Sequence, residues 1–271
     1  MFFPFRDDNP TSRPATVTYA LVAINVAALL WLNRLPEIQQ VAAVYQWGFV
    51  PARIAQLTSG KPIQVRVPEV VAGPWGMAIE RDRVLVLRPN TRVTLLSLVT
   101  AMFLHGGWMH LIGNMWFLAV FGNNVEDRLG HVPYLGFYLV GGLAANAFHW
   151  AGQPMAATPV IGASGAVAAV LGAYAITWPW ARVRTLVFLL FFITILDFPA
   201  LLVLGVWFVT QLLNATRQAA GAGANVAWWA HVGGFLAGAM LMPLMNALFD
   251  TRRTPPSGPF PVPDSNPDRS F

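Results

Sequence analysis

No cysteine occurs among the 271 residues, so disulfides, thiolate metal sites and a cysteine nucleophile are all excluded. Charge is scarce as well: 11% of residues are Asp, Glu, Lys or Arg, against roughly 25% in soluble domains. Acidic residues number only 12, and Asp197 alone interrupts an apolar stretch. With 56% hydrophobic residues and a mean hydropathy of +0.53, this scarcity excludes a soluble globule, a disordered chain and a fibre. An all-α polytopic membrane protein is what remains. The net charge of +5 does not point to nucleic acid, because the 17 basic residues are spread between apolar runs without forming a stripe. They read as loop charges that set orientation in a bilayer. No internal repeat is evident, which sets aside transporters built from paired inverted repeats.

The apolar runs predict six spans: Val17–Leu32, Trp108–Val125, Val132–Trp150, Val160–Thr177, Pro199–Leu213 and Val226–Leu248. Each approaches the ~20 residues that cross ~30 Å of hydrocarbon. Ahead of the fifth, Val183–Leu196 is too short to cross and is expected at the interface or folded back; seven spans is the alternative count. No small-residue cleavage site follows the first run, which therefore reads as a retained span and not as a signal peptide. With the N-terminus inside, the inner segments carry Arg6, Arg13, Arg128, Arg182, Arg184, Arg252, Arg253 and Arg269, whereas the short outer loops carry only Arg217. Both termini are expected in the cytoplasm.

Three segments follow. Residues 1–16 form a cytosolic N-terminal segment, 17–249 the membrane domain, and 250–271, rich in proline and polar residues, a disordered cytosolic tail. The first outer loop, 33–107, contains IQVRV and RVLVLR, which alternate with period two around Gly73-Pro74-Trp75-Gly76. That pattern predicts a small hairpin on the outer surface.

Polar groups at membrane depth are costly and therefore mark function. His110 and Asn114 share one face of the second span at i, i+4 spacing. Ser164 and His231 stand near the outer ends of the fourth and sixth. At ~1.5 Å per residue, all four lie at one level, on the order of 5–10 Å below the outer surface. Gly165, Ala168 and Gly172 around the serine, and Gly234 and Gly238 after the histidine, form small-residue faces that let helix backbones approach closely.

A serine and an imidazole brought within reach point to acyl transfer, with Ser164 as nucleophile and His231 as base. The Ser164 backbone N–H, Asn114 and His110 would hold the oxyanion. No carboxylate lies at this level, so packing is expected to fix the imidazole. No HExxH motif or carboxylate partner accompanies the histidines, so neither a metal nor another cofactor is expected. His105 is read as bracing a loop or joining the chemistry. Glu126 and Arg128 are expected to brace the loop after the second span, His131 and His149 to be interfacial, and Trp150, Trp178, Trp180, Trp228 and Trp229 to anchor the interface.

These residues fall in HGGWMHLIGNMWFL, VEDRLG, GASG (Gly162 to Gly165) and AHVGG, which together resemble the rhomboid family of intramembrane serine proteases. The resemblance covers roughly 104–240. It implies a six-helix core, a Ser164–His231 dyad, an oxyanion site of His110, Asn114 and the Ser164 backbone, and a water-filled cavity open to the outside. It also implies substrates that are single-span membrane proteins cut in or near the bilayer. The alternative is a non-proteolytic rhomboid-like chaperone or sorting factor. Some members carry an aromatic residue four positions after the serine; here Ala168 stands there. The absence of an Arg-rich transit peptide points to a bacterial cytoplasmic membrane.

Overall fold

Apolar runs rich in Ala, Leu, Met and Gly fold as helices, whereas runs in which Val, Ile, Phe and Thr dominate pair as strands. The computed structural model describes residues 2–72, 78–189, 192–220 and 226–249. The Gly73–Gly76 turn and the 250–271 tail lie outside the described residues. In chain order the elements are β1 (Phe2–Asp7), α1 (Thr16–Asn33), α2 (Glu37–Trp47), α3 (Ala52–Ser59), β2 (Ile63–Ala72), β3 (Ala78–Leu87) and α4 (Thr91–Thr100). There follow α5 (Trp108–Leu129), α6 (His131–Gly152), α7 (Ser164–Thr177), β4 (Arg182–Leu189), β5 (Phe192–Pro199), α8 (Ala200–Ala219) and α9 (Trp228–Phe249). Among the described residues α1, α8 and α9 are long and apolar enough to cross a membrane. A fourth span is added if α4 and α5, bent by 78° at their junction, count as one.

The centre of the bundle is α7. Every residue from Ala166 to Ala175 is buried, so this stretch is enclosed on all sides and carries no amphipathic pattern. Its closest neighbour is α9, and glycine decides how close. A Cβ on Gly172 would strike the Phe235 carbonyl, one on Gly234 the Gly165 carbonyl, and one on Gly238 the Ala169 carbonyl. The small-residue faces expected from the sequence are thus where the two backbones meet.

Helix α7 begins four residues later than the apolar run predicted. Phe49 and Val160 form an antiparallel bridge, and Gly162 donates its N–H to the Ala101 carbonyl at 2.9 Å. These contacts keep 160–162 out of the helix, and Ala163 serves as its N-cap. The 14 residues that do coil span about 21 Å at ~1.5 Å per residue, so the helix is shorter than a bilayer core.

The N-terminus of α1 is capped from a distance. Ala15 has no side chain that could accept a hydrogen bond, and the buried Glu126 carboxylate at the end of α5 accepts from Val17 N and Thr18 N instead, both at 2.8 Å. Glu126 also bonds His131 Nδ1, and Asp127 accepts from Arg13 N at 2.8 Å. Arg128 donates to Asn246 Oδ1, tying α5 to the far end of α9. The bracing expected of Glu126 and Arg128 is therefore helix capping and cross-bundle pairing, and His131 joins it through its bond to Glu126.

The predicted hairpin forms as β2 and β3, antiparallel with Ile63 opposite Leu87. The Val183–Leu196 stretch, expected at the interface or folded back, is a second hairpin. Its strands β4 and β5 pair antiparallel, and β1 adds to β4 to give the order β1-β4-β5. Residues 1–16 therefore contain an ordered strand. The outer loop is also richer than expected, since α2, α3 and α4 were not predicted.

Candidate active site

Because α7 starts at Ser164, this serine occupies the first helical turn, where backbone N–H groups have no partner within the helix. The close packing of α9 on α7 brings His231 Nε2 to 2.8 Å from Ser164 Oγ. Both side chains line a cavity of about 620 Å³ bounded by α5, α6, α7, α8 and α9. The two residues assigned to acyl transfer are thus in hydrogen-bond contact.

The oxyanion candidates converge on the same cavity. Gly162 has φ +121°, a conformation that strongly favours glycine, and a Cβ there would lie 2.7 Å from His110 Nε2 and 3.6 Å from Asn114 Nδ2. The missing side chain lets both polar groups approach the backbone just before Ser164. Asn114 is 9% exposed, and its Nδ2 has no hydrogen-bond partner among the described residues. A buried amide donor facing a cavity without an acceptor is costly unless a ligand supplies one. His105 is fully buried; its Nε2 accepts from Ala163 N at 3.4 Å, and its ring meets His110 edge-on at 5.0 Å. Of the two readings of His105, its contacts fit loop bracing. Gly165 packs on Ala145 of α6, and Gly234 and Gly238 pack on α7 as described.

Four features were not anticipated. Gln211 of α8, 7% exposed, places Oε1 2.8 Å from His231 Nδ1, so a hydrogen bond and not packing alone fixes the imidazole. Trp207 of α8 and Trp228 of α9 flank the His231 ring, with centroids 6.1 and 5.7 Å away. They supply the aromatic surroundings that Ala168 does not; Ala168 itself is fully buried and must be small, since Gly234 faces its Cβ. His149, expected at the interface, is 4% exposed and lines the cavity. Trp178 is also an inside residue, packed on Tyr174 and under Arg128. Among the described residues no cluster of His, Asp and Glu could hold a metal ion.

A bundle that includes helices long and apolar enough to cross a membrane, with a serine hydrogen-bonded to an imidazole beside a cavity, defines the class as a helical integral membrane protein. Comparison with known sequences gives the family. The family model described as Rhomboid domain matches residues 92–247, more than half of the chain. "Rhomboid-like protein 11, chloroplastic" of Arabidopsis thaliana is 30% identical over 163 residues, covering 55% of this chain and 51% of that protein. "RHOMBOID-like protein 6, mitochondrial" of the same plant is 33% identical over 76 residues, 28% of this chain and 24% of that protein. "Rhomboid-like protease 5" of Toxoplasma gondii is 33% identical over 101 residues, 36% of this chain and 12% of that protein. The chain thus spans about half the length of its first curated relative, or less of the others. It belongs to the rhomboid family.

Proposed function

We propose that the chain is an intramembrane serine endopeptidase that cleaves single-span membrane proteins in or near the bilayer. The observation that carries this reading is the 2.8 Å contact between Ser164 Oγ and His231 Nε2 on the wall of the cavity. His231 takes the proton as Ser164 Oγ attacks the scissile carbonyl, and returns it to the leaving amine. The negative charge on the tetrahedral oxygen meets the Ser164 backbone N–H at the start of α7, Asn114 Nδ2 and His110 Nε2. A water activated by the same imidazole then attacks the acyl-serine ester, releasing the second product and restoring Ser164. No metal or other cofactor enters the reaction.

The short α7 supports hydrolysis below the membrane surface, since its N-terminus and Ser164 are set back from the end of a full span. The reading includes six spans, α1 and α5 to α9, within a membrane domain of 17–249, with both termini cytoplasmic. The β1-β4-β5 sheet supports that count. It joins the start of α1 to the α7–α8 connection at one end of the bundle, which requires an even number of crossings between them. The relatives named chloroplastic and mitochondrial lend no support to the bacterial cytoplasmic membrane expected from the sequence. A chaperone or sorting factor of the same fold would need neither a hydroxyl–imidazole contact nor an unpartnered Asn114 amide, so the geometry favours the protease.

The test is labelling of the detergent-solubilised protein with a fluorophosphonate, alongside cleavage of several single-span substrates. Wild type should label and cleave, and Ser164→Ala and His231→Ala should do neither. A folded wild type that neither labels nor cleaves any of them would overturn the proposal in favour of the non-proteolytic reading.

A further inference from the structure

The geometry points to Gln211 as a positioning residue that selects the base-competent tautomer of His231, an inference that rests on the serine-protease reading above. A neutral imidazole carries its proton on one nitrogen only, and it can act as base toward Ser164 only if Nε2 is the bare one. Which nitrogen is bare depends on what Nδ1 faces, and Nδ1 faces Gln211 at 2.8 Å.

Gln211 could present either its oxygen or its amino group, so the orientation of its amide decides the matter. Helix α8 fixes that orientation twice. The Gln211 Nε2 group donates to the Trp207 carbonyl at 3.2 Å and to Thr210 Oγ1 at 3.1 Å. Thr210 cannot reverse the second bond, because its own hydroxyl proton is donated to the Trp207 carbonyl at 2.6 Å. Both amide hydrogens are thus taken by acceptors of α8. A flipped amide would turn its oxygen against a backbone carbonyl. Oε1 is therefore what faces His231, Nδ1 carries the proton, and Nε2 is left to accept from the Ser164 hydroxyl at 2.8 Å.

The relay thus runs from a backbone carbonyl of α8 through an amide and an imidazole to the nucleophile. It does the orienting work of an aspartate without adding a negative charge at membrane depth. The other titratable groups facing His231 are His110 of α5 and His149 of α6; α7 contributes Ser164 and α8 contributes Gln211, both neutral.

The experiment measures kcat and KM for one single-span substrate across pH 4–9, with the rate of fluorophosphonate labelling, for wild type, Gln211→Met, Gln211→Glu and Ser164→Ala. Gln211→Met keeps the volume and removes the acceptor; kcat and labelling should fall roughly 10- to 100-fold with KM unchanged. Gln211→Glu restores an acceptor and adds charge. It should cleave within a few-fold of wild type on the plateau, with the acid limb of its pH profile displaced to higher pH by about one unit or more, because a carboxylate holds the imidazolium proton. A merely structural glutamine would leave that limb where it is.

Wild-type kcat in Gln211→Met overturns the inference, as does an unmoved acid limb in an active Gln211→Glu. In either case a dead Ser164→Ala keeps the protease reading intact. If wild type itself neither labels nor cleaves, both fall together.

Discussion

Gly234→Ala tests whether helix packing sets the geometry of the reaction. The added methyl would strike the Gly165 carbonyl oxygen and lie 3.1 Å from the Gly165 carbonyl carbon and 3.2 Å from the Ala168 Cβ. Carbon atoms prefer about 3.5–4.0 Å, and the obstructing atoms are mostly backbone, which cannot rotate away. Helices α7 and α9 must therefore separate by on the order of 1 Å. Gly234 is one helical turn from His231, and Gly165 follows Ser164, so the separation is felt at the reacting groups. A 2.8 Å hydrogen bond stretched that far no longer transfers a proton efficiently. The expected result is a loss of about 1–3 kcal/mol in stability, seen as several degrees in Tm. Turnover should fall about 10²-fold, the usual consequence of a 1 Å misplacement. Gly234→Leu should fail to fold. Gly205→Ala in α8, where a Cβ meets nothing within 4 Å, is the control and should keep both Tm and turnover. Wild-type Tm and turnover in Gly234→Ala would refute the reasoning, since the packing would then not constrain the site.

Further expectations follow from other parts of the molecule. Asn114→Ala should lower kcat about 10²-fold while KM holds, the pattern of a donor used only in the transition state; a change confined to KM would count against it. Glu126→Ala leaves two N–H groups of α1 without an acceptor and should cost roughly 3 kcal/mol, measured by unfolding in detergent; an unchanged midpoint would rule out the capping role. Burial pushes the Asp7 carboxyl from 3.8 up to about 6 despite its hydrogen bond from Tyr174. A raised acid contributes stability that is present below about pH 4 and is lost as pH rises through 6, so Asp7→Asn should gain about 1–2 kcal/mol at pH 7 and flatten that dependence. A variant with unchanged stability at pH 7 would show that the carboxylate is not destabilising there. Deleting 61–88 should leave fluorophosphonate labelling of Ser164 at the wild-type rate, because the β2–β3 hairpin is held by Gln56 of α3 and none of its described residues lines the cavity; lost labelling would make the hairpin part of the site.

Helices at the six apolar runs were legible because length and hydropathy mark them, and the β2–β3 hairpin because strict alternation has few other meanings. The β4–β5 hairpin was not, since a nearly continuous apolar stretch gives no period, and its partner β1 lies far away in sequence. The late start of α7 was hidden for a different reason. Val160 and Ile161 are apolar, and the bridge to Phe49, the Gly162–Ala101 bond and the positive φ of Gly162 keep them out of the helix. Ser164, His231, His110 and Asn114 stood out because polar groups at one depth are rare. Gln211 is also a polar residue within an apolar run, the fifth. It is harder to see because it lies towards the C-terminal end of its helix, whereas His110, Ser164 and His231 lie near the N-terminal ends of theirs.

The sheet also imposes an order on assembly. Asp8 N bonds the Arg182 carbonyl at 3.0 Å, and Arg182 N returns a bond to the Asp8 side chain across 174 residues of sequence. A ribosome releases β1 long before β4 exists, and α1 long before Glu126 arrives to cap it. The earliest part of the chain is therefore the part that waits. Its first helix must enter the bilayer with an open end, be clasped when α5 is complete, and receive its flanking strand only after α7 has been laid down. Mutations in Phe2–Asp7 should act on the yield of assembled protein more than on the fluorophosphonate labelling of each assembled molecule.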